Sequence, residues 1–413
     1  MQNILPLNKG ICSLESPATV EEVVARGLNL LREDLMLPAA VLLSNRLEHN
    51  LAWMQRFARA SGVQLAPHGK TTMAPALFEK QLKAGAWGIT VATAQQARVA
   101  AEYGVRRILM ANQLVGRQNM TTVSHLLPGC EFFCLVDSAA QVELLGAFFK
   151  AQGQRLNVLV ELGSDGGRAG VRNQQQLEEV LDALGRWPGS LALCGVEVYE
   201  GVLDNEAAVR LFLDEVVETA REIAVSRGFD RSPFLLTGAG SAWYDVVAEV
   251  FGAAAKGLKA EIILRPGCYL THDVGIYRLA QQEIEARSAL AAELAPGLQP
   301  AMQLWAYVQS IPEPQKAIIT LGKRDAAFDA GLPVPTLHCR PGNMQPLPAL
   351  PGWKLTRMMD QHAYLAIEEE DDLRVGDMIG FDISHPCLTF DKWRWIAVVD
   401  ENYNVVDMVE TYF

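Results

Sequence analysis

Apolar and polar positions change their spacing twice along this chain. Up to residue 60 the spacing is helical. Thr19-Val20-Glu21-Glu22 has the form of a capping box, and apolar residues at Val20, Val23, Val24, Leu28, Leu30 and Leu31 follow, which predicts a helix starting here. A second helix is predicted over 46–60, where Leu47, Leu51, Met54, Phe57 and Ala58 share a face. From residue 65 short apolar runs take over: 65–68, 88–93, 107–113, 131–137, 156–163, 193–200, 234–240 and 261–267. Runs such as Phe132-Phe133-Cys134-Leu135-Val136 are apolar on both faces, as strands covered on both sides of a parallel sheet are. Amphipathic stretches such as Gln176 to Leu184 separate them.

Eight strand-then-helix units over roughly 215 residues point to an α/β chain, a (β/α)8 TIM barrel, whose usual length is about 250 residues. The count alone leaves an open doubly wound sheet as an alternative. Beyond residue 280 the helical period fades and β-rich runs follow at 304–308, 317–321, 378–381, 395–399 and 405–409, which predicts a second, mostly antiparallel β-domain. The expected division is an N-terminal segment, 1–40, packing on the β-domain, a barrel over 41–280, and a β-rich domain over 281–413. Residues 331–352 hold six prolines and no regular period, and read as a long surface excursion.

Composition narrows the partners. Among 413 residues, 48 acidic against 36 basic side chains give a formal charge of −12. Neither nucleic acid nor an anionic membrane is expected to bind such a surface. Seven cysteines without a CxxC pair read as free thiols in a reducing compartment, the cytoplasm. No basic head precedes an apolar core at Met1–Asn8 and no apolar run reaches membrane-spanning length, so a soluble, unprocessed chain is expected.

In a barrel, chemistry sits at the carboxyl ends of the strands. The first run ends in His68-Gly69-Lys70-Thr71, placing a lysine at the mouth. The seventh ends in Thr237-Gly238-Ala239-Gly240-Ser241 and the eighth in Arg265-Pro266-Gly267-Cys268-Tyr269, and the loops after these two strands are the usual phosphate seat. A lysine facing a phosphate seat points to pyridoxal 5'-phosphate (PLP), whose handles are an amine and a phosphate site. To act as nucleophile and base the lysine must titrate below its ordinary value of about 10.4, through burial or nearby positive charge, with His68 and Arg168 as candidate contributors.

Five segments together resemble one family: Pro67-His68-Gly69-Lys70-Thr71, Ala84-Gly85-Ala86-Trp87-Gly88-Ile89-Thr90-Val91-Ala92-Thr93, Arg168-Ala169-Gly170-Val171, Leu264-Arg265-Pro266-Gly267 and Ser384-His385-Pro386-Cys387. The family is that of D-threonine aldolase and D-serine dehydratase, fold-type III PLP enzymes related to alanine racemase, and the dehydratase branch is the nearer. The resemblance implies a barrel of the alanine racemase type, Lys70 as the cofactor-binding lysine, phosphate contacts from Gly238, Ala239, Gly240, Gly267 and Cys268, and a homodimer. Thr237 and Tyr269, in the same loops, join the expected cofactor contacts, with His68. Where relatives often carry His with Val before the lysine, this chain has His68-Gly69, which is expected to loosen the backbone there.

His385 and Cys387 lie two apart, so in an extended segment they point the same way. Imidazole with thiolate is a zinc-like set, but such a pair standing alone is more often core packing. The resemblance makes them the metal ligands, for Zn2+ or for Mn2+ or another divalent ion, and the cysteine favours dehydration over aldol cleavage. The implied reaction converts a D-3-hydroxyamino acid to an α-keto acid and ammonia, Lys70 taking the α-proton while the metal activates the β-hydroxyl. Retro-aldol cleavage to glycine and an aldehyde is the alternative, and a non-catalytic PLP carrier a third reading. Arg168, Tyr199 and Glu197 are candidate ring contacts, His362 corresponds to a family position near the metal, and Trp393 reads as core.

Overall fold

The computed structural model describes residues 3–413. Eight parallel strands curl into a barrel: β1 (Gln64–Leu65), β2 (Ile89–Val91), β3 (Arg107–Gln113), β4 (Glu131–Val136), β5 (Leu156–Leu162), β6 (Leu191–Val198), β7 (Phe234–Gly238) and β8 (Ala260–Leu264). Strands β2 to β8 pair in chain order, and β1 pairs with β8. The ring closes between β1 and β2 through an isolated bridge from His68 to Thr90, next to Lys70, with the Thr90 N–H donating to Pro67 O at 2.9 Å.

The two-faced apolar pattern of these strands now has its cause. In β4, Phe133 and Leu135 join Trp87, Leu109, Leu159, Leu235 and Ile263 in the barrel interior, while Phe132, Cys134 and Val136 pack under the surrounding helices. Burying each such large side chain contributes about 2 kcal/mol.

The remaining strands form a ten-stranded sheet with Met302–Glu313 near its centre, flanked by Met378–Asp382 and Ala39–Leu43. Its pairings are antiparallel except where Ala39–Leu43 runs parallel to Trp395–Val399. Ile4, Ile11, Leu14, Val23 and Leu30 pack on this sheet against Trp305, Met378 and Trp395.

Two expectations are corrected here. The first helix has both halves of its Thr19–Glu22 capping box but covers only Val20–Val24; Gly27, at φ 63°, ends the helical path, and Leu30 and Leu31 are buried by a separate 3-10 turn capped by Asn29. Residues 331–352 are not only an excursion. Val334–Cys339 is a strand paired with Met378–Asp382, and Pro335, which has no N–H to give, sits where the register shifts. Among the described residues no helix is long and apolar enough to cross a membrane.

Candidate active site

The carboxyl ends of the barrel strands and the second domain enclose a cavity of about 470 Å³. Behind β1, Gly69–Thr71 make a 3-10 turn that brings Lys70 to its wall. A Cβ at Gly69 would stand 2.8 Å from Phe78 Cζ and 2.9 Å from Ile89 Cγ2, so this glycine permits tight backing of the lysine turn. The expected loosening is thus a packing requirement.

His68 also lines the cavity. Burial, reinforced by the positive charges of Lys70, Arg265 and Arg168, holds its imidazole well below the usual range. It is neutral at pH 7, and so adds no positive charge beside Lys70. Arg168 stacks 4.9 Å above the Tyr199 ring, and both face the cavity.

On β6, Glu197 is buried and ion-paired to buried Arg265, which also donates to Thr237 Oγ1 at 2.8 Å and to Val198 O at 3.0 Å. Burial, together with the neighbouring Glu161 and Glu200, outweighs Arg265 and pushes the Glu197 carboxyl up to about 8. Glu197 Oε2 and His68 Nδ1 are buried atoms without a partner.

The turn after β7 is occupied in an unexpected way. Ala239 adopts φ 72°, a left-handed conformation that strains a non-glycine residue. Its N–H and that of Gly240 donate to the buried Glu200 carboxylate at 3.0 and 2.9 Å. In this arrangement those two amides are committed to a side chain. Gly267, after β8, leaves room for close approach: a Cβ there would stand 2.5 Å from Thr71 Oγ1.

From the second domain come His385 and Cys387. They are not on an extended segment: the chain turns after Met378–Asp382, and Cys387 opens the short helix Cys387–Phe390. The turn still brings both to the cavity. Cys268 lies with its Sγ 3.6 Å from Cys387 Sγ, and Thr71 Oγ1 is 3.5 Å from Cys387 Sγ. Hydrogen bonding from Cys268, aided by His385 and Thr71, brings the Cys387 thiol down to about 4. The Asp329 carboxylate lies 2.7 Å from His385 Nδ1, and interaction with Cys387 and then Asp329 raises His385 to about 9.

The structure therefore gathers Lys70, His68, Arg168, Glu197, Tyr199, Ala239, Gly240, Gly267, Cys268, His385 and Cys387 around one cavity. Thr237, Gly238 and Tyr269 are buried and do not line the cavity, and the Tyr269 hydroxyl accepts from Gln81 Nε2 at 3.1 Å. His362 is exposed and lies away from the cavity, and Trp393 is core, donating to Asp325 O at 2.9 Å. The sequence reading held Thr71 and Ser241 only as parts of motifs and missed Gln96, Ala111, Tyr277, Leu388, Asp391 and Phe413 on the wall, and Asp329 behind His385. Arg265 was legible as part of a motif, but not as the partner of Glu197.

Comparison with known proteins gives two matching families: "Alanine racemase, N-terminal domain" over residues 43–242 and "Putative serine dehydratase domain" over residues 301–399. The chain is 34% identical over 166 residues to D-threo-3-hydroxyaspartate dehydratase of Delftia sp. (strain HT23), a match spanning 40% of this chain and 43% of that protein. It is 27% identical over 375 residues to D-threonine aldolase of Arthrobacter sp, covering 88% of each. Its fold is similar to the crystal structure of D-threonine aldolase from Filomicrobium marinum, with a TM-score of 0.75 at 23% identity, covering 93% of this chain and 97% of that one.

Proposed function

For a chain with an alanine racemase-type barrel and a serine dehydratase-type second domain, we propose the metal-assisted, PLP-dependent dehydration and deamination of a D-3-hydroxyamino acid. The substrate is of the D-serine, D-threonine or 3-hydroxy-D-aspartate type, and the products are an α-keto acid and ammonia. One observation carries this reading: Lys70 from the barrel and His385 and Cys387 from the second domain line the same cavity.

The residues present fit both groups. For PLP there are an amine at the barrel mouth, unpartnered polar atoms on Glu197 and His68, and a close backbone approach at Gly267. For a zinc-like ion there are a thiolate and an imidazole whose other nitrogen meets a carboxylate, the usual support for a metal-bound histidine. When bound, PLP supplies an electron sink at the α-carbon, and the metal supplies a Lewis acid that can lower the pKa of a bound water from about 15.7 to about 7.

Lys70 binds the cofactor and its amine takes the α-proton. His385 and Cys387 face the β-hydroxyl side, and Asp329 fixes the orientation of His385. Arg168, stacked on Tyr199, presents a guanidinium to an anionic group of the substrate or cofactor. We further propose a cytoplasmic homodimer, to be checked by sedimentation of the purified protein.

The test is a product-resolved screen of D-serine, D-threonine and 3-hydroxy-D-aspartate with and without a chelator. Keto acid and ammonia, lost on chelation and regained with Zn2+, are expected. A second reading, retro-aldol cleavage, is favoured by the match to D-threonine aldolase over 88% of both chains. Glycine as the sole amino-acid product would establish it in place of dehydration.

A further inference from the structure

Cys268 and Cys387 come from different domains and meet on the cavity wall with their Sγ atoms 3.6 Å apart. Cys268 is buried in the turn Cys268–Leu270 that follows β8, and Cys387 starts the short helix of the second domain. Two thiolates on one tetrahedral zinc, each about 2.3 Å from the ion, stand about 3.8 Å apart. A disulfide needs about 2.0 Å. The observed spacing is therefore close to that of two sulphurs sharing a cation.

We propose that Cys268 is a third protein ligand of the metal, so that His385, Cys387 and Cys268 hold the ion between the barrel and the second domain. This deepens the functional reading above and rests on its metal. Three side chains do not already form a finished cage among the described residues. Cys387 is in contact with Cys268, and His385 stands two residues before it on the same cavity wall, so a cation between them draws all three together. Thr71 Oγ1 lies against both sulphurs, 3.5 Å from Cys387 Sγ and 3.9 Å from Cys268 Sγ, which places a hydroxyl where it can support the pair. Asp329 holds His385 by Nδ1 and leaves Nε2 for the ion.

In the metal-free protein the sulphurs share a proton in an S–H···S contact. Binding also needs a neutral His385, so the cation displaces both the shared proton and the proton on the imidazole to solvent, with no change of oxidation state. Three protein ligands would leave a fourth position for the β-hydroxyl of the substrate, as in catalytic rather than structural zinc.

The experiment uses the full-length PLP-loaded protein, stripped with a chelator and titrated with Co2+. Sulphur-to-cobalt charge-transfer absorption is read as a difference spectrum against the metal-free holoprotein, and Zn2+ affinity is measured by competition. The unaltered protein is expected to show a two-thiolate intensity. Cys268→Ser is expected to halve it and to weaken Zn2+ binding by at least about tenfold, with the cofactor's visible band retained as the check on folding. An unchanged spectrum and affinity in Cys268→Ser would overturn the assignment, as would a one-thiolate spectrum in the unaltered protein; either result leaves the metal at His385 and Cys387 standing. Failure of the unaltered protein to take up Co2+ or Zn2+ removes the metal itself, and with it the dehydratase mechanism.

Discussion

The two halves of the cavity are held in different ways. On the barrel side, Lys70 follows a strand locked into a ring of parallel pairings, and its turn is backed by Phe78 and Ile89. On the second-domain side, His385 and Cys387 sit on a turn fixed mainly by side chains: Ser384 Oγ donates to Gly331 O, Thr389 Oγ1 donates to His385 O at 2.9 Å, and Asp329 meets His385. A backbone ladder resists displacement of one residue because every neighbouring bond must move with it. Polar side chains can reorganise one at a time. The barrel half is therefore held rigidly where Lys70 stands, whereas the second half has more freedom to adjust.

The sharpest break of this contrast is Lys70→Ala. Keto-acid release is expected to fall by more than about a thousandfold, and borohydride reduction should no longer leave a cofactor label, while thermal stability changes by less than about 0.5 kcal/mol. Covalent labelling retained at another lysine would move the cofactor site. Cys387→Ala breaks the other half alone. Turnover should drop by about a hundredfold without loss of the cofactor's visible band, and Zn2+ should fail to restore it, unlike in chelated unaltered protein.

Arg265→Leu attacks the barrel half through its interior. It removes the guanidinium's bonds to Glu197, Thr237 Oγ1 and Val198 O and leaves those buried polar groups short of a donor, and chemical denaturation should register a loss of about 1–3 kcal/mol. Arg265→Leu combined with Glu197→Leu is expected to be less damaging than the single change.

The smallest effect is one of pH on the cofactor-free protein. Because burial raises Glu197 from its ordinary 4.5 to about 8, the folded state holds a proton there that the unfolded state has lost. That contribution is complete below about 4.5 and disappears as pH rises through about 8. Melting temperature should therefore decline over this window, and Glu197→Gln should flatten the decline; an identical slope in the variant would show that another group carries it.

Much of the barrel could be read from the chain because strands covered on both faces must be apolar throughout, as Phe132 to Val136 are, and because each ends in a residue type suited to its position. Val334–Cys339 escaped notice because its proline looked like a loop signal, and nothing local reveals that a register shift accommodates it. Asp329 and Glu200 were equally silent. A lone acidic residue reads as solvated surface, and only the folded chain shows one on His385 and the other on the amides of Ala239 and Gly240.

By itself the sequence determined the alternation of strands and helices, the lysine after the first barrel strand, and the His-x-Cys pair, since these depend on residue type and short spacing. Tertiary structure decided which groups face one another: the neutral state of His68, the pairing of Glu197 with Arg265, and the meeting of Cys268 with Cys387. Burial and charge proximity act through space between residues far apart in the chain, and it is those contacts that set protonation and can bring a metal's ligands together.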